Sequence, residues 1–268
     1  MAQISGRLLL VAEAEVKLAL WQSEPTNGRI ETVFPSLCTQ LQAVAKAGAK
    51  LLILPELFLP GYNRPDLHAS SAQPIDGEWM GRLRDMAADA GCGLCLGWAE
   101  RDGDRVYNAA TTIGPDGRIL GHYRKIQLYG PREKALYAAG DAYATFALGQ
   151  VTVALLICYD AEFAPHIAAL RWRGVGLLCV PTANMMPFTH VSRATIPANA
   201  ANGAMTIVYA NFCGAEGDLA YAGHSVIAGP HGEVVAAAGD GPALLIAEIP
   251  QPDPARLYDP GADYRKVT

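Results

Sequence analysis

The chain repeatedly runs apolar for six to eight residues, stops at a polar side chain, and then takes up helical spacing. That pattern constrains its fold more than any other feature. "VKLALWQ" (16–22), "KLLILPE" (50–56) and "GLCLGWAE" (93–100) have strand length and the nearly unbroken apolar character of strands buried on both faces. Between the first two, "VFPSLCTQLQAVAKAGA" (33–49) sets Leu37, Leu41, Val44 and Ala45 at helical spacing, with Gly48 where a helix should end. "GEWMGRLRDMAADAG" (77–91) predicts a second amphipathic helix. "RVYNAATTIGPDGRILGHYRKIQLY" (105–129) reads as strand, Pro-Asp-Gly turn and strand, and "ATFALGQVTVALLICYD" (144–160) as two more strands. Helices over 164–174 and 193–204 flank the strand at 176–184, and strands at 205–214 and 243–249 enclose a hairpin over 223–239. Helix and strand alternate, yet hairpins interrupt the alternation. The expectation is a mixed-sheet α/β domain with helices outside, not a simple doubly wound parallel sheet.

No short-period repeat and no shift in composition marks a second domain, so residues 1–268 read as one, with 1–15 an N-terminal extension of unassigned role. A chain of 268 residues that is 51% hydrophobic can bury a large single core. The balance of 21 Lys and Arg against 26 Asp and Glu gives a net charge of -5, which gives no support to a nucleic-acid or anionic-membrane partner. The apolar stretch after Arg7 resembles a signal peptide, but Glu13, Glu15 and Lys17 break it, and no run has the length of a membrane span. These features predict a cytoplasmic protein. Six cysteines are too few for a disulfide scaffold. "CGLC" (92–95) has the spacing of half a zinc site, but no second pair completes it; core packing is the expected role, and no metal is implied.

Three apolar runs end in side chains that a buried strand has no use for. "LLILPE" ends at Glu56, "GHYRKIQLY" carries Lys125, and "VALLICYD" (153–160) presents Cys158. Taken singly, each has an ordinary reading: a solvated acid, an exposed lysine, an inert core thiol. Taken together they supply a complete nucleophilic apparatus. A thiol needs a base to attack as thiolate, and a carboxylate in a dry pocket has its pKa lifted towards that task. An ammonium beside both balances charge and stabilises an oxyanion. His166 and His190 are the histidines that could pair with the cysteine, though nothing in their spacing singles them out.

The order and contexts of these residues resemble the nitrilase, or carbon-nitrogen hydrolase, superfamily. The resemblance rests on "GAKLLILPELFLPGY" (48–62), "YRKIQLYGPREKALYAAGD" (123–141) and "LLICYDAEF" (155–163), with weaker matches at "VKLALWQ", "NAATTIGPDGRILGHYRK" and "VYANFCG". It spans roughly residues 16 to 250. It implies a four-layer α-β-β-α sandwich with a Glu-Lys-Cys triad: Glu56 as general base, Cys158 as nucleophile, and Lys125 with the Tyr159 backbone N–H as oxyanion donors. Glu133 would be the supporting second glutamate. No cofactor is implied, the partner is a small-molecule amide, and a homo-oligomer is expected. Asn199 and Asn202 stand where the family usually has Arg and Glu, so a familiar ion pair should be absent there.

Around the nucleophile, "CYDAEF" is similar to the amidase branch and differs from the Cys-Trp-Glu of the nitrile-hydrolysing branch. The expected reaction is hydrolysis of a small aliphatic or amino-acid-like carboxamide through a cysteine thioester. A nitrilase or N-carbamoyl hydrolase with the same triad is the alternative, and a non-catalytic binding protein on the same fold is the third. For the pocket, Tyr62, Asn184 and Met185 are expected to line it, with Asn63, Met186 and Phe188 nearby. Arg64 and Arg193 are the arginines available to clamp a substrate carboxylate.

Overall fold

Side chains of a strand point alternately to its two faces, and here both faces are covered. In β1 (Lys17–Gln22), Leu18 and Leu20 join one buried cluster while Ala19 joins another. In β2 (Leu51–Ile53), Leu51 and Ile53 part from Leu52 in the same way. The computed structural model describes residues 16–257 and residue 265, so the expected extension at 1–15 lies outside the described residues. One cluster unites Ala19 and Leu52 with Phe34, Leu37 and Leu41 of α1 (Ile30–Lys46). After the short α2 (Pro65–Ser71), α3 (Glu78–Ala90) adds Met80 and Leu83 to it.

Three strands follow: β3 (Gly93–Asp102), β4 (Arg105–Ile113) and β5 (Ile119–Arg124). The first sheet has the order β14-β1-β2-β3-β4-β5, with β1, β2 and β3 parallel and the remaining pairs antiparallel. Helix α4 (Gly130–Leu136) leads to β6 (Thr145–Leu148) and β7 (Val151–Leu155). Then come α5 (Ala164–Arg171), β8 (Leu177–Pro181), α6 (Ile196–Gly203) and β9 (Thr206–Ala210). A small hairpin of β10 (Ala215–Glu216) and β11 (Leu219–Ala220) precedes β12 (Val226–Ala228), β13 (Val234–Ala237) and β14 (Ala243–Glu248).

The second sheet runs β13-β12-β9-β8-β7-β6, again with a parallel centre and antiparallel flanks. Leu18, Leu20, Leu51 and Ile53 meet Val153, Leu155, Leu177 and Val208 between the sheets. Ile167 and Leu170 of α5 and Ile196 and Ala200 of α6 extend that core on the far side. The layers are therefore α-β-β-α with two six-stranded mixed sheets.

Two details differ from what the sequence predicts. Helix α1 starts at Ile30, three residues before the expected start. Helices α2 and α4 were not expected, since seven residues are too few to display a helical period. One placement had no local signal at all. The last strand, β14, leaves the second half of the chain and pairs antiparallel with β1, Lys17 against Glu248 through Gln22 against Ala243.

Candidate active site

Strands β2 and β7, one in each sheet, leave their sheets in the same manner. The Leu54 N–H continues the β2 ladder to the Cys95 carbonyl (2.9 Å), and the Leu156 N–H continues β7 to the Cys179 carbonyl (3.2 Å). Three residues past each strand stand Glu56 and Cys158. Gly97 lets β3 approach the first of these loops, because a Cβ there would overlap the Leu57 nitrogen and the Glu56 Cα. The two sheets are stitched at this point: the Glu56 N–H donates to the Thr182 carbonyl (3.2 Å), and the Ala183 N–H donates to Glu56 Oε2 (3.0 Å). Lys125 directly follows β5, its N–H held by the Asn108 carbonyl of β4 (2.8 Å).

Three charged side chains, all buried, form one connected group. Lys125 Nζ donates to Glu56 Oε1 at 2.6 Å and to Glu133 Oε1 at 2.9 Å. Glu56 Oε1 also accepts from Asn108 Nδ2 (2.7 Å). Glu133, on α4, accepts from the Tyr62 hydroxyl (2.8 Å) on Oε1 and from the Tyr129 N–H (2.9 Å) on Oε2. Burial pushes the Glu56 carboxyl above its ordinary pKa and wins against the pull of Lys125. For Lys125 burial works the other way, but the facing carboxylates of Glu56 and Glu133 more than offset it and hold the ammonium protonated. Burial and the Glu56 charge push the Cys158 thiol well above its usual value, against the opposing effects of Lys125 and the Ala183 N–H. The resting arrangement is thus a protonated thiol beside a carboxylate of raised proton affinity.

Cys158 opens a single 3-10 turn, Cys158–Glu162, with φ +47. A non-glycine residue held in that region stores on the order of 1–3 kcal/mol of strain, which the surrounding contacts must hold in place. Asp160, fully buried, supplies them. Its Oδ2 accepts from the Ile157 N–H (3.1 Å) and the Tyr123 hydroxyl (2.9 Å), and its Oδ1 accepts from the Gln127 N–H (2.7 Å). Tyr123 and Gln127 bracket Lys125 in the chain, so one carboxylate ties the lysine segment to the cysteine turn. The Asp160 N–H already bonds the Ile157 carbonyl (3.0 Å). The N–H of Tyr159 lies earlier in the turn, where a helical start leaves donors free for an outside acceptor.

Cys158 lies at the wall of a cavity of about 280 Å³. Tyr62, Asn184 and Met185 line it, together with Tyr159 and Phe188. Asn184 is partly committed, since its Nδ2 donates to the Phe188 carbonyl (2.9 Å) and so closes the loop onto itself. Met186 is 52% exposed and outside the lining. Asn63 and Arg64 are also outside it: Asn63 Nδ2 binds the Glu216 carbonyl (2.5 Å), and Arg64 binds Asp66 and the Asn27 carbonyl. Arg193 turns to His224 (2.9 Å) instead of the cavity. His166 is held between the Tyr143 hydroxyl (2.6 Å) and Gln127 (3.2 Å), whereas His190 does reach the cavity.

Several residues of the site went unread in the sequence: Asn108, Asp160, Tyr129, Glu162 and the Ala183 N–H. Asn108 and Asp160 carried a usable signal, being polar residues inside or against runs that bury both faces. The others act through backbone groups or loop placement.

The remaining cysteines lie away from this group. Cys92 and Cys95, three apart in extended chain, fall into opposite core clusters, and Cys95 meets Cys179 between the sheets. Burial pushes the Cys92 and Cys213 thiols up to about 11. Asn199 Nδ2 donates to the Ala161 carbonyl (2.8 Å) and so braces the cysteine turn. The Asn202 carbonyl accepts from Arg171 (2.8 Å).

A family model described as carbon-nitrogen hydrolase matches residues 17–257. The chain is 38% identical over 210 residues to a Pseudomonas protegens protein named "Hydrolase in pqqF 5'region", covering 77% of this chain and 74% of that one. It is 33% identical over 229 residues to a nitrilase of Pyrococcus abyssi, covering 84% and 86%. Among solved structures, an active-site variant of the amidase from Nesterenkonia sp. AN1 in complex with butyramide superposes with a TM-score of 0.83 at 31% identity, covering 88% of this chain and 91% of that one. In another structure of that amidase, acrylamide has added to the active-site cysteine (TM-score 0.81, 32% identity, 88% and 93% covered). The protein therefore belongs to the carbon-nitrogen hydrolase family, on the amidase-like branch of the nitrilase superfamily, and is a hydrolase of carbon–nitrogen bonds.

Proposed function

We propose that the protein is an amidase that hydrolyses a small aliphatic or amino-acid-like carboxamide to the acid and ammonia through a Cys158 thioester. The observation that carries this reading is the cavity-facing Cys158 on its positive-φ turn, with the Glu56–Lys125–Glu133 chain of hydrogen bonds behind it. Glu56 takes the thiol proton as Cys158 sulfur attacks the amide carbon, and that proton leaves on the departing nitrogen. Lys125 and the Tyr159 N–H hold the oxyanion, and Glu133 orients Lys125. Water deprotonated by Glu56 then attacks the thioester, and the proton returns to the thiolate as the acid departs. The Nesterenkonia structures support the reading, since that relative carries butyramide in one and a cysteine adduct in another.

Cys158→Ala should remove turnover by roughly four orders of magnitude or more, and intact-mass analysis of the parent enzyme with a slow amide should find one acyl group on Cys158. Near-parental turnover by Cys158→Ala overturns the proposal. Similarity to the Pyrococcus nitrilase keeps a second reading in view, and product analysis on matched amide, nitrile and carbamoyl compounds decides between them. A single domain, a homo-oligomer and a cytoplasmic location complete the proposal. Sedimentation tests the assembly.

A further inference from the structure

We propose that Glu162 determines the specificity of this cavity, selecting amides that carry an ammonium group a few carbons from the scissile carbonyl. The inference rests on the amidase reading above and narrows its substrate class. Cys158 and Glu162 are the first and last residues of the same 3-10 turn, and both line the same cavity. Four residues at about 2 Å each separate their backbones by roughly 8 Å along the turn. A substrate whose amide is seated on the nucleophile can therefore reach Glu162 with a short methylene chain.

Glu162 differs from every other acid near the site. Glu56, Glu133 and Asp160 each accept three hydrogen bonds from the protein. Glu162, half-buried, accepts none among the described residues. A carboxylate shielded from water and left without a donor is unfavourable, and a donor brought by a ligand relieves it. Burial pushes Glu162 above the ordinary carboxylate value, with His190 and Lys125 drawing it back. Lys125 is already shared between two carboxylates, and exposed His190 packs edge-on against Phe188 with no hydrogen bond to Glu162. Among the described residues, no arginine or lysine lines the cavity. A substrate carboxylate would find repulsion here and no clamp, whereas an ammonium would find an acceptor. Met185 and Val191 supply apolar wall for the carbons between.

The test compares 4-aminobutanamide with its neutral isostere pentanamide and with anionic succinamate. The parent enzyme should prefer them in that order, with about a tenfold or larger step in kcat/KM between the first two, expressed mainly in KM. Glu162→Gln should bring the ratio of the first two close to one, and Glu162→Asp, which keeps the charge, should retain part of it. Calorimetry on Cys158→Ala gives a readout that needs no turnover: 4-aminobutanamide should bind about tenfold tighter than pentanamide, and adding Glu162→Gln should remove the difference. Equal binding of the two, a preference for succinamate, or a ratio unchanged in Glu162→Gln overturns the proposal. If the binding preference holds but no amide is turned over, the amidase reading fails and the assignment of Glu162 stands. Turnover of amides without charge preference overturns the assignment of Glu162 and leaves the amidase reading standing.

Discussion

Arg124 and Lys125 are neighbours in the chain, yet they serve opposite ends of the electrostatic range. Arg124 leaves the sheet edge partly solvated and grips Glu100 with two nitrogens at 2.7 Å, adds Asp102 at 2.8 Å, and lies over the Tyr107 ring at 3.9 Å. Burial would raise the Glu100 carboxyl, but Arg124 and His122 outweigh it and hold it down at about 2. Lys125, one residue on and pointing inward, has a single nitrogen for two carboxylates in a dry site. There burial wins, and Glu56 is pushed up. A forked guanidinium at a wet edge makes an inert anion; a shared ammonium in a dry pocket leaves a carboxylate that still wants a proton. One cluster ties strands of a single sheet, and the other joins the loops beside Cys158, where the proposed mechanism needs a proton acceptor.

The largest effect expected from breaking this contrast comes from Lys125→Met. Turnover should fall by roughly a thousandfold or more, and stability by about 3–5 kcal/mol, because two buried carboxylates lose their common partner. Adding Glu56→Gln should recover part of the melting temperature but none of the activity. Recovery of both would mean that the cluster is only structural.

Asp160→Ala comes next. It leaves the Ile157 and Gln127 N–H groups and the Tyr123 hydroxyl without their acceptor, so kcat should fall about a hundredfold through misplacement of Cys158. KM should change little, and a change confined to KM would refute a positioning role for Asp160.

A smaller effect concerns pH. In the proposed mechanism Glu56 accepts the thiol proton and has to be ionised, and its pKa is raised from 4.5, so the acid limb of kcat/KM should fall above pH 4.5. A limb at or below the ordinary carboxylate value removes Glu56 as base. The smallest expected effect lies at the sheet edge. Glu100 has a folded pKa depressed to about 2, so the stability it contributes is present above about pH 4.5 and is lost as pH falls towards 2. Glu100→Gln should therefore melt below the parent at pH 7, with the gap closing near pH 2 and turnover changed by less than about threefold. A gap that persists in acid would assign the loss to packing.

Much of the site could be read from local pattern. Glu56 and Cys158 each stand at the end of an apolar run and Lys125 directly follows a strand-like one, and a polar group placed there needs a partner whatever the fold. Tyr62, Asn184 and Met185 could be placed near the nucleophile because they follow strands that end on the same side. Glu133 could be read only through resemblance, since the seven-residue α4 that carries it has no visible period. Asn108, Asp160, Glu162 and the Ala183 N–H were not read. Asn108 lies 52 residues from the carboxylate it touches, and Ala183 127 from the same group.

The sequence by itself determined the strands, the longer helices, the layered α/β class and the three reactive side chains, because apolar period and strand length are local properties of a chain. Only the tertiary structure decided that β14 returns to β1, that one carboxylate locks the lysine segment to the cysteine turn, and that Glu162 faces the cavity without a hydrogen-bond donor among the described residues. Those facts depend on which distant segments meet and in what register. Register follows from the closing of two sheets on a common core, and no window of neighbouring residues contains it.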